Sequence, residues 1–299
     1  MPALLTHYKF GQDLLNNLSK DLQNEIKSNI NYYNMFNQGF DNLFYYPIHW
    51  SQYKKFAIKA HKKNIPEFFS NMIDYLVTNK LTNQSDLTNM VYGFINHYTV
   101  DTIIHPFINY QVKNLNIPHT RIEFMIDSQI LKNYSDPKIY KTIIPKLKFS
   151  KNLLNLIDYT FLKTYDKNNI GKIFNRSHNN DYYVYRYFVN DNSGKKTNFY
   201  KTIDNIFKFK NFKLGESTFY IKNFDESILN NDKNKWHHPK NEQEIYSYSY
   251  EELYDYCIII CTKLNNLAYK VLHMNEKPDL LIDLISKINI KNIQLFLDL

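Results

Sequence analysis

The strongest indication of how this chain folds is the segment SDLTNMVYGFINHYTVDTIIHPF, residues 85–107. Its apolar residues recur at intervals of three and four, which predicts an amphipathic helix with Ser85 as N-cap that continues to about Ile104. Pro106 disfavours helical geometry at the preceding residue, so we expect a break at His105. A long helix in the first half of the chain favours an all-α protein.

Similar spacing on both sides of this segment extends the helical pattern. Further helices are predicted from Leu14 to Ile26 and over residues 51–61, 66–78, 120–133, 137–165, 249–274 and 278–297. The turn Asp191–Lys196 separates two more helical segments between residues 178 and 225. Residues 31–50 lack this period and are predicted to form an aromatic-rich loop. We therefore expect an all-α fold, a single multi-helix bundle over residues 1–299.

The composition of the 299 residues excludes several classes of protein. Gly 6 and Pro 9 leave little material for the turns of a many-stranded β-sandwich or for a glycine-rich phosphate loop. The net charge of +8 comes without a dense basic block, so charge alone names no partner. Cys257 and Cys261 lie four residues apart, which is typical of buried thiols on one helical face.

The N-terminal residues MPALLTHYKFGQDLL contain no basic and apolar run of the kind that starts a secretory signal. No apolar stretch approaches the roughly 20 residues of a membrane span. The mean hydropathy is −0.52. These features lead us to expect a soluble, cytoplasmic protein.

Histidines and acids at helical spacing are the main chemical signal. His97 and Asp101 are one helical turn apart, so their side chains can meet on one metal ion, and His119 and Glu123 repeat that spacing. With 10 His and 29 acids, chance gives about one such pair, and three exist, the third being His238 and Glu242. Surface ion pairs and hydrogen-bonded core histidines are the alternative interpretation.

Several motifs, taken in order, resemble the zinc-dependent phospholipase C family, whose helical fold is shared with the P1-type nucleases. They are MPALLTHYKFGQDLL at the start, QGFDNLFYY at residues 38–46, KAH at residues 59–61, GFINHYTVDTIIHPFI at residues 93–108 and HTRIEFMID at residues 119–127. The resemblance covers roughly residues 1–130. It places the metal site in residues 1–135 and leaves residues 136–299 as a helical remainder.

The resemblance implies a set of zinc ligands for up to three ions: His7, Asp41, His61, His97, Asp101, His105, His119 and Glu123. It implies that Asp101 bridges two ions, that His105, His119 and Glu123 share the remaining one, and that Asp41 also acts as the catalytic general base. In the secreted enzymes of the family the mature N-terminal amine is a further ligand, so an amine at Met1 or Pro2 stays open.

Two other assignments have alternatives. His49 competes with His61 for one ligand position, and we favour His61. Asp127, one turn after Glu123, either orients a ligand histidine or is a surface acid.

The function expected from these features is hydrolysis of phosphodiester bonds by water that zinc activates, as in a phospholipase C. The partner is then a phospholipid or another phosphodiester, with transient contact to a membrane surface. Tyr45, Tyr46 and Trp50 either line a pocket there or pack between helices. Two alternatives are a metal-dependent nuclease of the P1 type, with nucleic acid as a less favoured partner, and a non-catalytic helical protein. The sequence leaves the oligomeric state open.

Overall fold

The computed structural model describes residues 4–46, 50–131, 143–185, 191, 193–207, 215, 218 and 226–298. The α-helices of these residues are α1 Leu4–Leu15, α2 Lys20–Ser28, α3 Ile30–Phe36, α4 Trp50–Ala60, α5 Ile65–Thr78, α6 Ser85–Leu115, α7 His119–Leu131, α8 Lys151–Tyr165, α9 Ile170–Val184, α10 Lys195–Phe207, α11 Tyr250–His273, α12 Asp279–Ser286 and α13 Ile293–Leu297. Short 3₁₀ helices occupy Gly39–Tyr45, Glu226–Leu229 and Ile290–Asn292. The predicted all-α fold class is confirmed.

Helix α6 continues through Pro106 to Leu115, so the predicted break at His105 is wrong. Proline removes one backbone donor from a helix and crowds the preceding turn. Here the turns on both sides are fixed by packing, because Ile104, Phe107 and Ile108 are all buried. An uninterrupted helix keeps Asp101 and His105 in register on one face.

The predicted loop over residues 31–50 is also largely wrong, because α3 and the 3₁₀ helix Gly39–Tyr45 occupy most of it. Tyr33, Asn34, Met35 and Phe36 are all buried. Because these four consecutive residues of α3 are all buried, its buried positions do not follow a helical period, and the pattern that predicts helices elsewhere is missing.

Within the described residues, the helix predicted over residues 137–165 covers Lys151–Tyr165, and Ile143 is also helical. Ser150 is its N-cap, and its hydroxyl accepts a hydrogen bond from the backbone N–H of Leu153 at 3.1 Å. Residues 144–150 are not helical, and residues 137–142 of the predicted helix lie outside the described part of the chain. The side-chain cap, rather than the apolar pattern, fixes where this helix starts.

The long helix α6 is the centre of the packing. Helices α3, α7 and α11 contact it, and α5 packs on both α6 and α8. Behind the histidines lies a cluster of buried aromatic rings with centroids 5.0–6.5 Å apart: Phe36, Phe40, Phe68, Phe94, Phe161 and Phe174. Cys257 and Cys261 are buried, reduced and on one face of α11, as predicted. Within the described residues, no helix combines the length and apolar character that crossing a membrane requires.

A small antiparallel hairpin was not predicted. Its strands are β1 Trp236–His238 and β2 Asn241–Tyr246, with Trp236 opposite Tyr246 and an irregularity between His237 and His238. Side chains of β2 are mostly exposed, so the alternation that marks a half-buried strand is weak.

Candidate metal centre

All eight side chains predicted as zinc ligands lie in two neighbouring groups, which the contact between Asp101 and His105 connects. They come from five parts of the chain: His7 from α1, Asp41 from the 3₁₀ helix, His61 from the turn after α4, His97, Asp101 and His105 from α6, and His119 and Glu123 from α7. Residues up to 116 positions apart in the sequence therefore meet through the packing of α1, α4 and α7 on or near α6.

The first group of ligand atoms surrounds the carboxylate of Asp101. His7, Asp41, His97 and Asp101 each offer one atom, and these atoms lie within 4.8 Å of one another. Asp101 Oδ1 lies 3.3 Å from His7 Nε2, and its Oδ2 lies 3.5 Å from His97 Nε2. The two carboxylate oxygens thus face different imidazoles, so each oxygen has its own possible partner for a cation.

His61 completes this group. Its Nε2 lies 3.0 Å from Asp41 Oδ1, 3.6 Å from Asp101 Oδ2 and 3.1 Å from His97 Nε2. Two ligand atoms on one tetrahedral zinc ion with Zn–N bonds near 2.0–2.1 Å are roughly 3.3 Å apart. The spacing of the two histidine nitrogens and the Asp101 oxygen therefore fits a shared cation.

A second group consists of His105, His119 and Glu123. Glu123 Oε1 lies 3.3 Å from His105 Nε2 and 2.9 Å from His119 Nε2. The two imidazole rings are stacked, with centroids 5.3 Å apart and planes 5° from parallel. Two imidazole nitrogens and one carboxylate oxygen at this spacing suit a separate ion.

Three of the histidines are oriented by a hydrogen bond at Nδ1. That of His61 lies 2.7 Å from the carbonyl of Ala57, that of His105 lies 2.9 Å from the carbonyl of Asp101, and that of His119 lies 3.2 Å from Asn109 Oδ1. An Nδ1–H that donates to such an oxygen leaves Nε2 free to bind metal, the usual support of a histidine ligand.

The charges of the centre are strongly perturbed. Burial lowers the pKa of His97 to about 4. Burial alone would also lower the pKa of His105, but Asp101 and Glu123 outweigh it and raise that pKa to about 10. Burial opposes ionisation of Glu123, yet hydrogen bonds from His105 and His119 lower its pKa to about 2. Buried carboxylates surrounded by imidazoles need positive charge beside them.

Three buried atoms of the centre have no hydrogen-bond partner among the described residues: Asp41 Oδ2, His97 Nδ1 and Glu123 Oε2. Unsatisfied carboxylate oxygens at such depth are costly unless a cation or water occupies the space beside them. Together with the donor spacing, this observation shows that the residues present fit zinc.

Asp127 is fully buried, so its interpretation as a surface acid is wrong. Its carboxylate accepts hydrogen bonds from the backbone N–H groups of Leu5 and Thr6, at 3.0 and 2.9 Å, and from Thr6 Oγ1 at 2.9 Å. Asp127 therefore holds the first turn of the helix that carries His7, instead of bonding a histidine directly.

An open cleft of about 670 Å³ leads to both groups. Besides ligand candidates it is lined by residues that were not predicted for the site, among them Lys62, Tyr98, His238 and Lys240. His238 is in the third His–acid pair, but that pair lies on a hairpin, where a spacing of four does not bring side chains together as it does on a helix. No pattern in the sequence marked the lysines.

Some predicted candidates lie outside the described residues. These are His49, the amines of Met1 and Pro2, and the side chains of Tyr45 and Trp50. Tyr46 is described and packs edge-on against Tyr53, with ring centroids 4.9 Å apart. It is not among the residues that line the cleft, whereas the nearby Phe44 is.

Comparison with known proteins identifies a family for this chain. The family model described as zinc dependent phospholipase C matches residues 6–180, more than half of the chain, and confirms the resemblance noted in the sequence. The matched range includes every predicted ligand. Neither the curated proteins nor the solved structures gave a match.

Proposed function

This chain belongs to the zinc-dependent phospholipase C family, and on that premise we propose that it hydrolyses phosphodiester bonds, with phospholipid as the favoured substrate. The observation that carries the proposal is the position of Asp101, whose two oxygens face His7 on one side and His61 with His97 on the other. A purely structural ion would need only one closed set of ligands, not two groups beside an open cleft.

The ligand set divides between the two groups. His7, Asp41, His61, His97 and Asp101 would hold one pair of zinc ions, and His105, His119 and Glu123 would hold a third. Zinc bound there would supply positive charge that stabilises the phosphoryl oxygens and makes a nearby water molecule more acidic.

Asp41 is our candidate for the general base. It lines the cleft, and its Oδ2 has no hydrogen-bond partner among the described residues. Its Oδ1 lies 3.0 Å from His61 Nε2, so a zinc ion that binds both atoms would fix the orientation of the carboxylate. Oδ2 is therefore the atom that would accept the proton of the attacking water.

The walls of the cleft suit an amphipathic substrate. Phe44, Ile58 and Tyr98 supply apolar surface beside the ligand groups, and Ile58 is 43% exposed. A lipid phosphodiester could place its apolar part on these side chains while its phosphate faces the ligands. Transient contact with a membrane surface is part of this proposal.

The first test compares the zinc-loaded protein with Asp101→Asn. Because the amide cannot serve two cations as the carboxylate does, the variant should bind fewer zinc ions and lose hydrolysis of bis(p-nitrophenyl) phosphate by at least about 100-fold. Asp255→Asn, an exposed position on α11, is the matched control. Zinc is measured by elemental analysis and the helical fold by circular dichroism.

Normal turnover by Asp101→Asn would contradict the mechanism. Fewer than two zinc ions per wild-type chain, together with no hydrolysis, would favour the non-catalytic alternative. Release of head groups from phosphatidylcholine vesicles is compared with cleavage of single-stranded DNA, and a salt-sensitive preference for DNA would favour the nuclease instead.

A further inference from the structure

The hairpin of β1 and β2 contributes to the cleft although it lies outside the residues that match the family. Its turn places His238, Pro239 and Lys240 in the lining. Lys62, which directly follows the ligand candidate His61, lines the same cleft from another part of the chain. Lys62 and Lys240 are both exposed, so they belong to the solvent-facing part of the cleft.

The hairpin is fixed to the helix that carries the ligands. Trp236 is buried, and its ring lies 5.4 Å from that of Phe107 on α6, centroid to centroid. Lys113, also on α6, donates a hydrogen bond from Nζ to the carbonyl of Pro239 at 3.1 Å. The turn therefore has a defined position relative to the metal centre, as a substrate-binding element requires.

The turn offers hydrogen-bond donors to the cleft. The backbone N–H of Lys240 donates to His238 Nδ1 at 3.2 Å, which leaves the ring proton of neutral His238 on Nε2. Burial lowers the pKa of His238, so the ring is neutral at pH 7. The Nε2–H and the Lys240 ammonium are both suited to an anionic oxygen.

The charged side chains that line the cleft also favour an anionic ligand. Among the described residues that line it, the carboxylates are Asp41, Asp101 and Glu123, and all three belong to the candidate ligand set. When these three carboxylates bind metal, no other carboxylate among the described lining residues can pair with a cationic head group such as choline. Two lysines remain to balance a negative one.

We propose that Lys62, His238 and Lys240 select phosphodiesters whose head group carries its own negative charge, and that the hairpin is the specificity element of this enzyme. This inference rests on the proposed hydrolase function. We assign the head group to an anionic phospholipid, because the apolar wall of Phe44, Ile58 and Tyr98 suits a lipid.

The test uses two p-nitrophenyl phosphodiesters that differ only in head group, one cationic (choline) and one anionic (2-carboxyethyl). The zinc-loaded protein should hydrolyse the anionic ester with a kcat/KM at least about tenfold higher, with the difference mainly in KM, as one charge-assisted contact would give. Lys240→Gln and Lys62→Gln should each lower the ratio of kcat/KM for the anionic ester to kcat/KM for the choline ester by about threefold or more. Lys59→Gln, an exposed lysine on α4 that does not line the cleft, should keep it.

The possible results distinguish a failure of this inference from a failure of the proposed hydrolase function. An equal or higher kcat/KM for the choline ester, or an identical ratio in Lys240→Gln and Lys59→Gln, would overturn the selectivity while leaving hydrolysis intact. If the zinc-loaded protein cleaves neither these esters nor bis(p-nitrophenyl) phosphate, the hydrolase function fails and the selectivity with it. Zinc content and circular dichroism of each variant exclude loss of the centre as the cause of a narrowed ratio.

The source of the anionic group is tested with vesicles of equal parts phosphatidylcholine and phosphatidylinositol 4-phosphate. We expect preferential release of the phosphorylated head group, and a smaller preference in Lys240→Gln. Preference for a 5′-phosphorylated dinucleotide over these vesicles would overturn the assignment to lipid.

Discussion

Gly39 is the residue where the backbone and the metal centre come closest. Its φ is +48°, in the left-handed region that favours glycine. A Cβ built at this position would lie 2.0 Å from His97 Cδ2 and 2.3 Å from His97 Cγ. His97 is fully buried, so its ring has little room to move aside. Glycine is thus needed both for the backbone conformation and for the position of a ligand candidate.

Gly39→Ala should therefore displace the imidazole of His97 and weaken zinc binding by about 10- to 100-fold, the effect of losing the support of a ligand. Zinc affinity is measured by competition with a chelator, and hydrolysis is measured in parallel. Gly194→Ala is the control, since Gly194 also has positive φ, at +74°, but directly precedes α10, which carries none of the ligand candidates. Equal zinc affinity in the two variants would show that the contact with His97 does not matter.

At the scale of the helices, Asp127 joins α1 to α7. Its two oxygens accept three hydrogen bonds from Leu5 and Thr6, and its own helix carries His119 and Glu123. The carboxylate thereby fixes the start of α1 relative to the helix of the second ligand group. Because His7 directly follows Thr6, these hydrogen bonds also determine the position of His7.

In Asp127→Asn, an NH₂ group replaces one carboxylate oxygen. This group then faces a backbone N–H that donates a hydrogen bond to the oxygen in the wild type. The loss of one buried hydrogen bond, with a donor left unsatisfied, should destabilise the protein by about 2–3 kcal/mol in urea unfolding. Zinc affinity should fall as well, because His7 moves with α1. A variant as stable as Asp255→Asn, with unchanged zinc affinity, would refute this coupling between the two helices.

At the scale of the whole molecule, buried His178 makes stability depend on pH. Burial lowers its pKa to about 4, and its Nε2 lies 2.7 Å from the carbonyl of Pro145. In the unfolded chain a histidine has a pKa near 6.5, so between about pH 6.5 and 4 the unfolded state binds more protons. The stability that depends on neutral His178 is therefore fully present above about pH 6.5 and is lost as the pH falls toward 4.

We expect His178 to account for about 3 kcal/mol of the stability difference over the whole range, and for about 2 kcal/mol of the difference between pH 7.5 and pH 5. The free energy of unfolding in urea is measured near pH 7.5 and pH 5 for the wild type and for His178→Gln. The contribution of His178 is the change between the two pH values in the wild type minus the change in the variant. Other buried histidines, His97 among them, contribute to both proteins and cancel. Parallel pH dependences would show that His178 is not the group responsible.

Much of the fold followed from local patterns. Helices with one apolar face, such as α5 and α11, were predicted close to their observed bounds. The pattern failed where burial is nearly complete, as in α3, and where packing overrides a local preference, as at Pro106 in α6. It also failed for the exposed hairpin, whose strands have little alternation.

The sequence by itself determined the helical class and, through its motifs, the family, and it predicted eight candidate metal ligands, because residue types and the order of motifs are properties of the sequence alone. Only the tertiary structure decided that His7, Asp41 and His61 meet at Asp101, and that Glu123 meets His105. It also decided that Asp127 ties α1 to α7. It alone brought Lys240 of the distant hairpin to the same cleft. Contacts between residues far apart in the chain depend on how whole helices pack, and no local pattern contains that information.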